Sequence, residues 1–131
     1  MKRTVGLGIV GVLSLSILAV APALARTAGP AAPMVQKSGA CTAGSTWLLT
    51  LKHDNGRIEA DWEVQSNASG QLWTYRMKDN GVQFAHGQKT SLGDGSWSVT
   101  RYATNQAGPD TITVRSRNTV TGEICSGSAT L

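Results

Sequence analysis

Few residues of this 131-residue chain have the means to do covalent chemistry: it carries two histidines, two cysteines and eight carboxylates. The most suggestive carboxylates are Asp61 and Glu63, set two apart in the segment Arg-Ile-Glu-Ala-Asp-Trp-Glu-Val-Gln at 57–65. That segment alternates polar and apolar residues at every position, as a strand buried on one face does. Asp61 and Glu63 therefore project from the same side, at a spacing that acid and base work could use. The side is the solvated one, however, where neither pKa would be driven upward for general acid catalysis. His53 and His86 fall near turns, and no serine sits in the strained Gly-x-Ser-x-Gly setting of an activated nucleophile. Gly93-Asp94-Gly95-Ser96 reads as a turn entering a strand. Asp54-Asn55-Gly56 and Asp79-Asn80-Gly81 lack the further carboxylates of a calcium loop, and the Cys and His spacings fit no metal site. The expectation is a protein that is not an enzyme and holds no metal or cofactor.

The cysteines have a simpler use. Met1-Lys2-Arg3, the apolar run 5–20 and Ala21-Pro22-Ala23-Leu24-Ala25 have the three-part layout of a secretory signal peptide with cleavage after Ala25. The run is short for a membrane anchor, so no stable insertion is expected once the peptide is removed. Ser38 and the distance from the apolar run argue against lipidation at Cys41. Removing 1–25 discards Lys2 and Arg3, leaving 106 residues whose basic side chains outnumber the acidic ones by two. The full chain's net charge of +4 thus overstates the basicity of the exported form. In an oxidising compartment Cys41 and Cys125 read as one disulfide spanning nearly the whole folded region. Residues 26–40, rich in Ala, Gly and Pro without periodicity, read as a flexible leader. One domain is expected over 41–131.

Short alternating segments fill that domain. Segment 45–52 places Trp47, Leu49 and Leu51 on one face and joins 57–65 through the turn 53–56, which makes a hairpin. Segment 71–78 points Trp73, Tyr75 and Met77 one way and Arg76 and Lys78 the other, and a tight turn at 79–81 leads into a short strand at 82–86. The stretch 87–95 is irregular, with room for one more short strand. Further strands are expected at 96–102, 110–117 and 123–131. Seven strands, turns every eight to twelve residues or so and no convincing helix are the signature of a β-sandwich.

The strand count, the place of Trp73, the lead of Gly108-Pro109-Asp110 into Ile112 and Val114, and the ending Thr121-Gly122-Glu123-Ile124-Cys125 resemble a group of small secreted, single-disulfide, immunoglobulin-like proteins of Gram-positive bacteria. The resemblance covers about 41–131. It implies an all-β immunoglobulin-like sandwich of about seven antiparallel strands and an exported bacterial protein, and it implies no activity. Here the disulfide would join the leading segment to the seventh strand instead of the second to the sixth, and the sixth strand lacks its tyrosine. A fibronectin-type-III-like arrangement fits better than an antibody-type one.

Side-chain parity then separates the function classes. All four tryptophans, Trp47, Trp62, Trp73 and Trp97, lie in register with aliphatic residues, which makes them core and weakens a carbohydrate-binding reading; only Tyr102 has polar parity. In the usual sandwich order 45–52, 57–65 and 96–102 share one sheet and the other four strands share the second. Outward residues of 57–65 are mostly acidic: Glu59, Asp61 and Glu63. Those of 71–78 and 110–117 are Arg76, Lys78, Arg115 and Arg117. The expected binding residues are these four, on a basic sheet facing an anionic cell-wall polymer, acidic polysaccharide or phosphate-bearing surface. Nucleic acid is disfavoured by the small net charge and the lack of interleaved stacking residues. The contrasting expectation is a small secreted inhibitor or effector that presents 87–95 or 103–109 to an extracellular protein. The sequon Asn67-Ala68-Ser69 matters only in a host that glycosylates.

Overall fold

The computed structural model describes residues 33–131; the expected signal peptide at 1–25 and the first seven residues of the leader lie outside them. Eight strands follow one another: β1 (Met34–Ala40), β2 (Thr46–Asp54), β3 (Arg57–Gln65), β4 (Leu72–Asp79), β5 (Val82–Thr90), β6 (Ser96–Thr104), β7 (Thr111–Asn118) and β8 (Ile124–Thr130). They form two antiparallel sheets of order β1-β2-β3-β6 and β5-β4-β7-β8. The grouping of the seven anticipated strands is the one that sandwich order implies.

Two boundaries differ from the sequence reading. The structured chain begins at Met34, not Cys41, because Met34–Ala40 pairs along its whole length with β2. Main-chain hydrogen bonding recruits this stretch. Its side chains carry little signal, although Val35 reaches the core. No separate strand occupies 87–95; instead β5 runs on to Thr90 as a mostly exposed edge strand, with its register shifted opposite Met77 and Lys78.

The alternation seen in the sequence is the burial pattern of the fold. From β3, Ile58, Ala60, Trp62 and Val64 point inward; Trp73, Tyr75 and Met77 of β4 and Ile112 and Val114 of β7 meet them from the other sheet. Contacts between the two layers include Trp73 against Trp97, with ring centroids 5.7 Å apart, and a 3.2 Å hydrogen bond donated by the Trp62 indole to Ser116. Trp47 is only half-buried, yet it stacks on Trp62 at 5.2 Å. Its ring fills the space left by two glycines: a Cβ on Gly39 or Gly127 would stand 2.8 or 2.6 Å from it. The Cys41–Cys125 disulfide closes this same corner, joining the β1–β2 connection to β8.

The tight turns form where Asn-Gly pairs stand, with Asn55 and Gly56, and Asn80 and Gly81, all at positive φ. Gly95 has a stricter requirement. Its φ is +85° and an added Cβ would lie 2.0 Å from the Ser66 carbonyl oxygen, in a loop junction where Ser66 donates through both its N–H and its hydroxyl to the Gly95 carbonyl. Gly81 has nearly the same φ but open space around it. Gly95→Ala is therefore expected to cost at least about 2 kcal/mol, and more than Gly81→Ala, in paired urea melts. Equal costs would show that the junction yields freely.

Candidate functional site

The outer face of the β5-β4-β7-β8 sheet gathers the four basic residues. Strand pleating sends Thr74, Arg76 and Lys78 of β4 outward, and Thr113, Arg115 and Arg117 of β7 likewise. Antiparallel register sets Arg76 directly across from Arg115, Thr74 across from Arg117 and Lys78 across from Thr113. The flanking strands add polar groups, His86 and Gln88 from β5 beside Arg76 and Thr74, and Ser126 of β8 beside Arg115. Like charges directly opposite on neighbouring strands are destabilising. Arg76 and Arg115 hold such a position with no carboxylate on their face.

The other sheet treats its charges differently. Among the described residues the ion pairs are Lys52 with Glu59 at 3.5 Å and Arg57 with Asp54 at 3.0 Å, and both involve its outer face. Arg57 also lies 4.2 Å over the Tyr102 ring, and Thr100 donates to Asp61 at 3.2 Å. Asp61 and Glu63 are outward and accessible, as expected. This sheet thus pairs Lys52 and Arg57 with carboxylates, while the second leaves its four cations without an ion pair among the described residues.

Two depressions lie on the basic face. One of about 620 Å³ is bordered by Thr74, Arg76, Gln83, His86, Arg115 and Arg117. A smaller one of about 190 Å³ is bordered by Arg76, Lys78, Thr113, Arg115 and Ser126. They share Arg76 and Arg115, and between them the two depressions are bordered by all four anticipated binding residues. A depression of about 630 Å³ on the opposite sheet, beside Leu48, Glu63 and Leu92, went unforeseen because Leu48 stands on the polar parity of its strand. Of the loops considered for partner contact, 87–95 is strand β5 as far as Thr90 and then a turn held by main-chain bonds from Gly70 to Ser91 and from Leu92 to Ser96, with 92–94 exposed. The other, 103–109, belongs to β6 as far as Thr104, and beyond it Asn105 donates to the Gly56 carbonyl while 105–109 is exposed.

Sequence reasoning also missed the buried acids. Asp79 and Asp110 face each other at the end of the core, 3% and 0% exposed, and no donor reaches any of their four oxygens. Such a pair resembles a proton-sharing catalytic dyad, but it is sealed from solvent and borders none of the depressions described. Burial pushes the Asp79 carboxyl above its ordinary value, and the neighbouring Asp110 carboxylate adds to this. Because the folded pKa lies above the unfolded one, the pair is harmless below the ordinary carboxylate range and destabilises increasingly as pH rises through the raised value. Asp79→Asn supplies a donor to Asp110. It should raise stability at pH 7 by about 1–3 kcal/mol, with the gain shrinking towards pH 3 in thermal melts. A loss of stability at pH 7 would mean that the ionised pair is compensated.

Glu123 shows the opposite balance. Burial acts to raise its pKa, but hydrogen bonds from the Ser45 hydroxyl, the Ser45 N–H at 3.0 Å and the Ala43 N–H at 2.7 Å outweigh burial and hold it below the usual value. It fastens the β1–β2 connection beside the disulfide. Asp94 accepts from the Ser96 hydroxyl at 2.6 Å and its N–H at 2.9 Å, which lower its pKa and hold the turn that the sequence places before β6. His53 and His86 stand exposed on different sheets, and no cluster of three or more metal-ligating side chains occurs among the described residues. No protein-family model, curated protein or solved structure matches the chain.

Proposed function

We propose that this protein is a secreted, non-catalytic domain of immunoglobulin-like, fibronectin-type-III-like arrangement that binds an anionic extracellular partner through the outer face of β4 and β7. The observation that carries the reading is the Arg76–Arg115 juxtaposition within a set of four uncompensated cations. A cross-strand like-charge pair works against the fold and is relieved when an anion settles over it. The disulfide accords with an oxidising compartment, and the strand order accords with the immunoglobulin-like class. A bacterial cell-wall polymer is the kind of partner that such a face would meet outside the cell.

Retention on wall and membrane fractions of the producing cell tests this. At about 50 mM salt the protein should be retained, and raising salt to about 1 M, where screening acts within roughly 3 Å, should release it. Absence of retention at either salt would remove the proposal. Retention indifferent to salt would move the site to an apolar surface or a loop.

A further inference from the structure

The four cations lie in an ordered pattern. Arg117 marks one row across the sheet, Arg115 and Arg76 share the next, and Lys78 marks the third, so the charges descend in a diagonal stripe from β7 to β4. Successive rows are two residues apart. In extended chain that is six backbone bonds, or roughly 6.8 Å. The two depressions lie along the same stripe, and its double-arginine middle row borders both.

We infer that the stripe is a subsite for a linear phosphodiester polymer whose phosphates are linked through three carbons. This deepens the proposed anionic binding and rests on it. A phosphodiester of that kind repeats after phosphorus, oxygen, three carbons and oxygen, again six backbone bonds. An extended polymer therefore stays in step with the strands and sets three successive phosphates over Arg117, over the Arg115–Arg76 row and over Lys78. The middle row suits a phosphate in particular. Two arginines stand side by side there, so the two non-bridging oxygens of one phosphodiester can accept from both guanidinium groups. Thr74, Thr113, Ser126 and Gln88 stand between and beside the cations, where they offer hydrogen bonds to hydroxyls of a polyol linker. A nucleic-acid backbone has the same bond count, but single strands are held largely by bases stacked on aromatic rings. This face presents no exposed ring: Trp73 and Tyr75 of β4 are buried, although Tyr75 borders the larger depression.

The test is calorimetric titration of the intact, disulfide-bonded protein with a synthetic glycerol-phosphate hexamer at about 50 mM salt. Inorganic phosphate, polyglutamate, oligothymidylate and phosphatidylglycerol vesicles serve as comparisons. The hexamer should bind at least about tenfold more tightly than each of them. For three phosphates engaged, a slope of about −0.7 per phosphate gives roughly a hundredfold weakening for each tenfold rise in salt. Arg76→Gln with Arg115→Gln should abolish the preference, while Lys37→Glu, a control outside the stripe on β1, should leave it unchanged. Thermal melts check that each variant is folded. If polyglutamate or the vesicles bind as tightly as the hexamer, the assignment to a linear phosphodiester falls and the anionic-face reading stands; if oligothymidylate does, the preference for a polyol-linked chain over a nucleic acid is overturned. If no polyanion binds, both fall. Hexamer binding that survives the double arginine change would place the site elsewhere and overturn the inference.

Discussion

Breaking the Cys41–Cys125 bridge is expected to destabilise the protein by about 4–5 kcal/mol, the chain-entropy value for a loop of this length. The bond closes 84 residues of sequence, so the six strands from β2 to β7 lie inside the loop it constrains. A domain of about a hundred residues has a total stability of roughly 5–15 kcal/mol, and each kcal/mol moves its midpoint by about 4–8 °C. Cys41→Ala with Cys125→Ala should therefore lower the melting temperature by about 16–40 °C; alanine avoids leaving a hydroxyl in the buried Cys125 site. Glu123 and Trp47 hold the same corner by other means, the first through hydrogen bonds to Ala43 and Ser45 and the second by its fit between Gly39 and Gly127. Should those contacts keep the corner closed in the unfolded ensemble, urea melts would show a loss below about 1 kcal/mol. That outcome would contradict the assignment of the bridge as the main constraint on the chain.

The second large effect sets stability against binding. Arg76→Glu places a carboxylate opposite Arg115 and converts a repulsive cross-strand pair into an attractive one. Pairs of that kind are worth roughly 0.2–1 kcal/mol, so the variant should be as stable as the parent or slightly more so. Its affinity for a polyanion should nevertheless fall at least about tenfold. Arg76→Glu with Arg115→Glu brings the formal charge of the four-residue face from +4 to zero and should weaken binding about a hundredfold or more. Urea melts and polyanion titrations on the same samples separate the two effects. Destabilisation of the single variant together with unchanged binding would show that the arginines serve the fold. A solvated basic surface without a ligand predicts unchanged affinity for both variants.

Much of this arrangement is legible in the chain because strand parity has only two values. Alternation in 57–65 places Trp62 in the core and Asp61 in water without ambiguity, and Asn-Gly turns fix where β2 meets β3 and where β4 meets β5. Once Arg76 and Arg115 have outward parity, only the sheet order is needed to bring them together. The parts that stayed hidden depend on tertiary placement. Strand β1 offers Ser38, Gly39 and Ala40 where a strand signal would need larger side chains, and it forms because β2 supplies a hydrogen-bonding edge and Trp47 needs a glycine beside it. Asp79 looks like the first residue of an Asp-Asn-Gly turn, and Asp110 like a residue following Pro109; the pairing of β4 with β7 turns them into a buried pair. The extension of β5 through Gly87, Gln88, Lys89 and Thr90 is likewise invisible to alternation, because an exposed edge strand has little apolar face to display.

The most direct test of the central claim is a map of backbone amide shifts as the glycerol-phosphate hexamer is titrated into isotopically labelled protein. Binding through the basic face predicts that the largest changes fall on 74–78 and 113–117, with smaller ones on the adjoining residues of β5 and β8. Changes centred on 91–95, on 103–109 or on the depression beside Leu48 would contradict it.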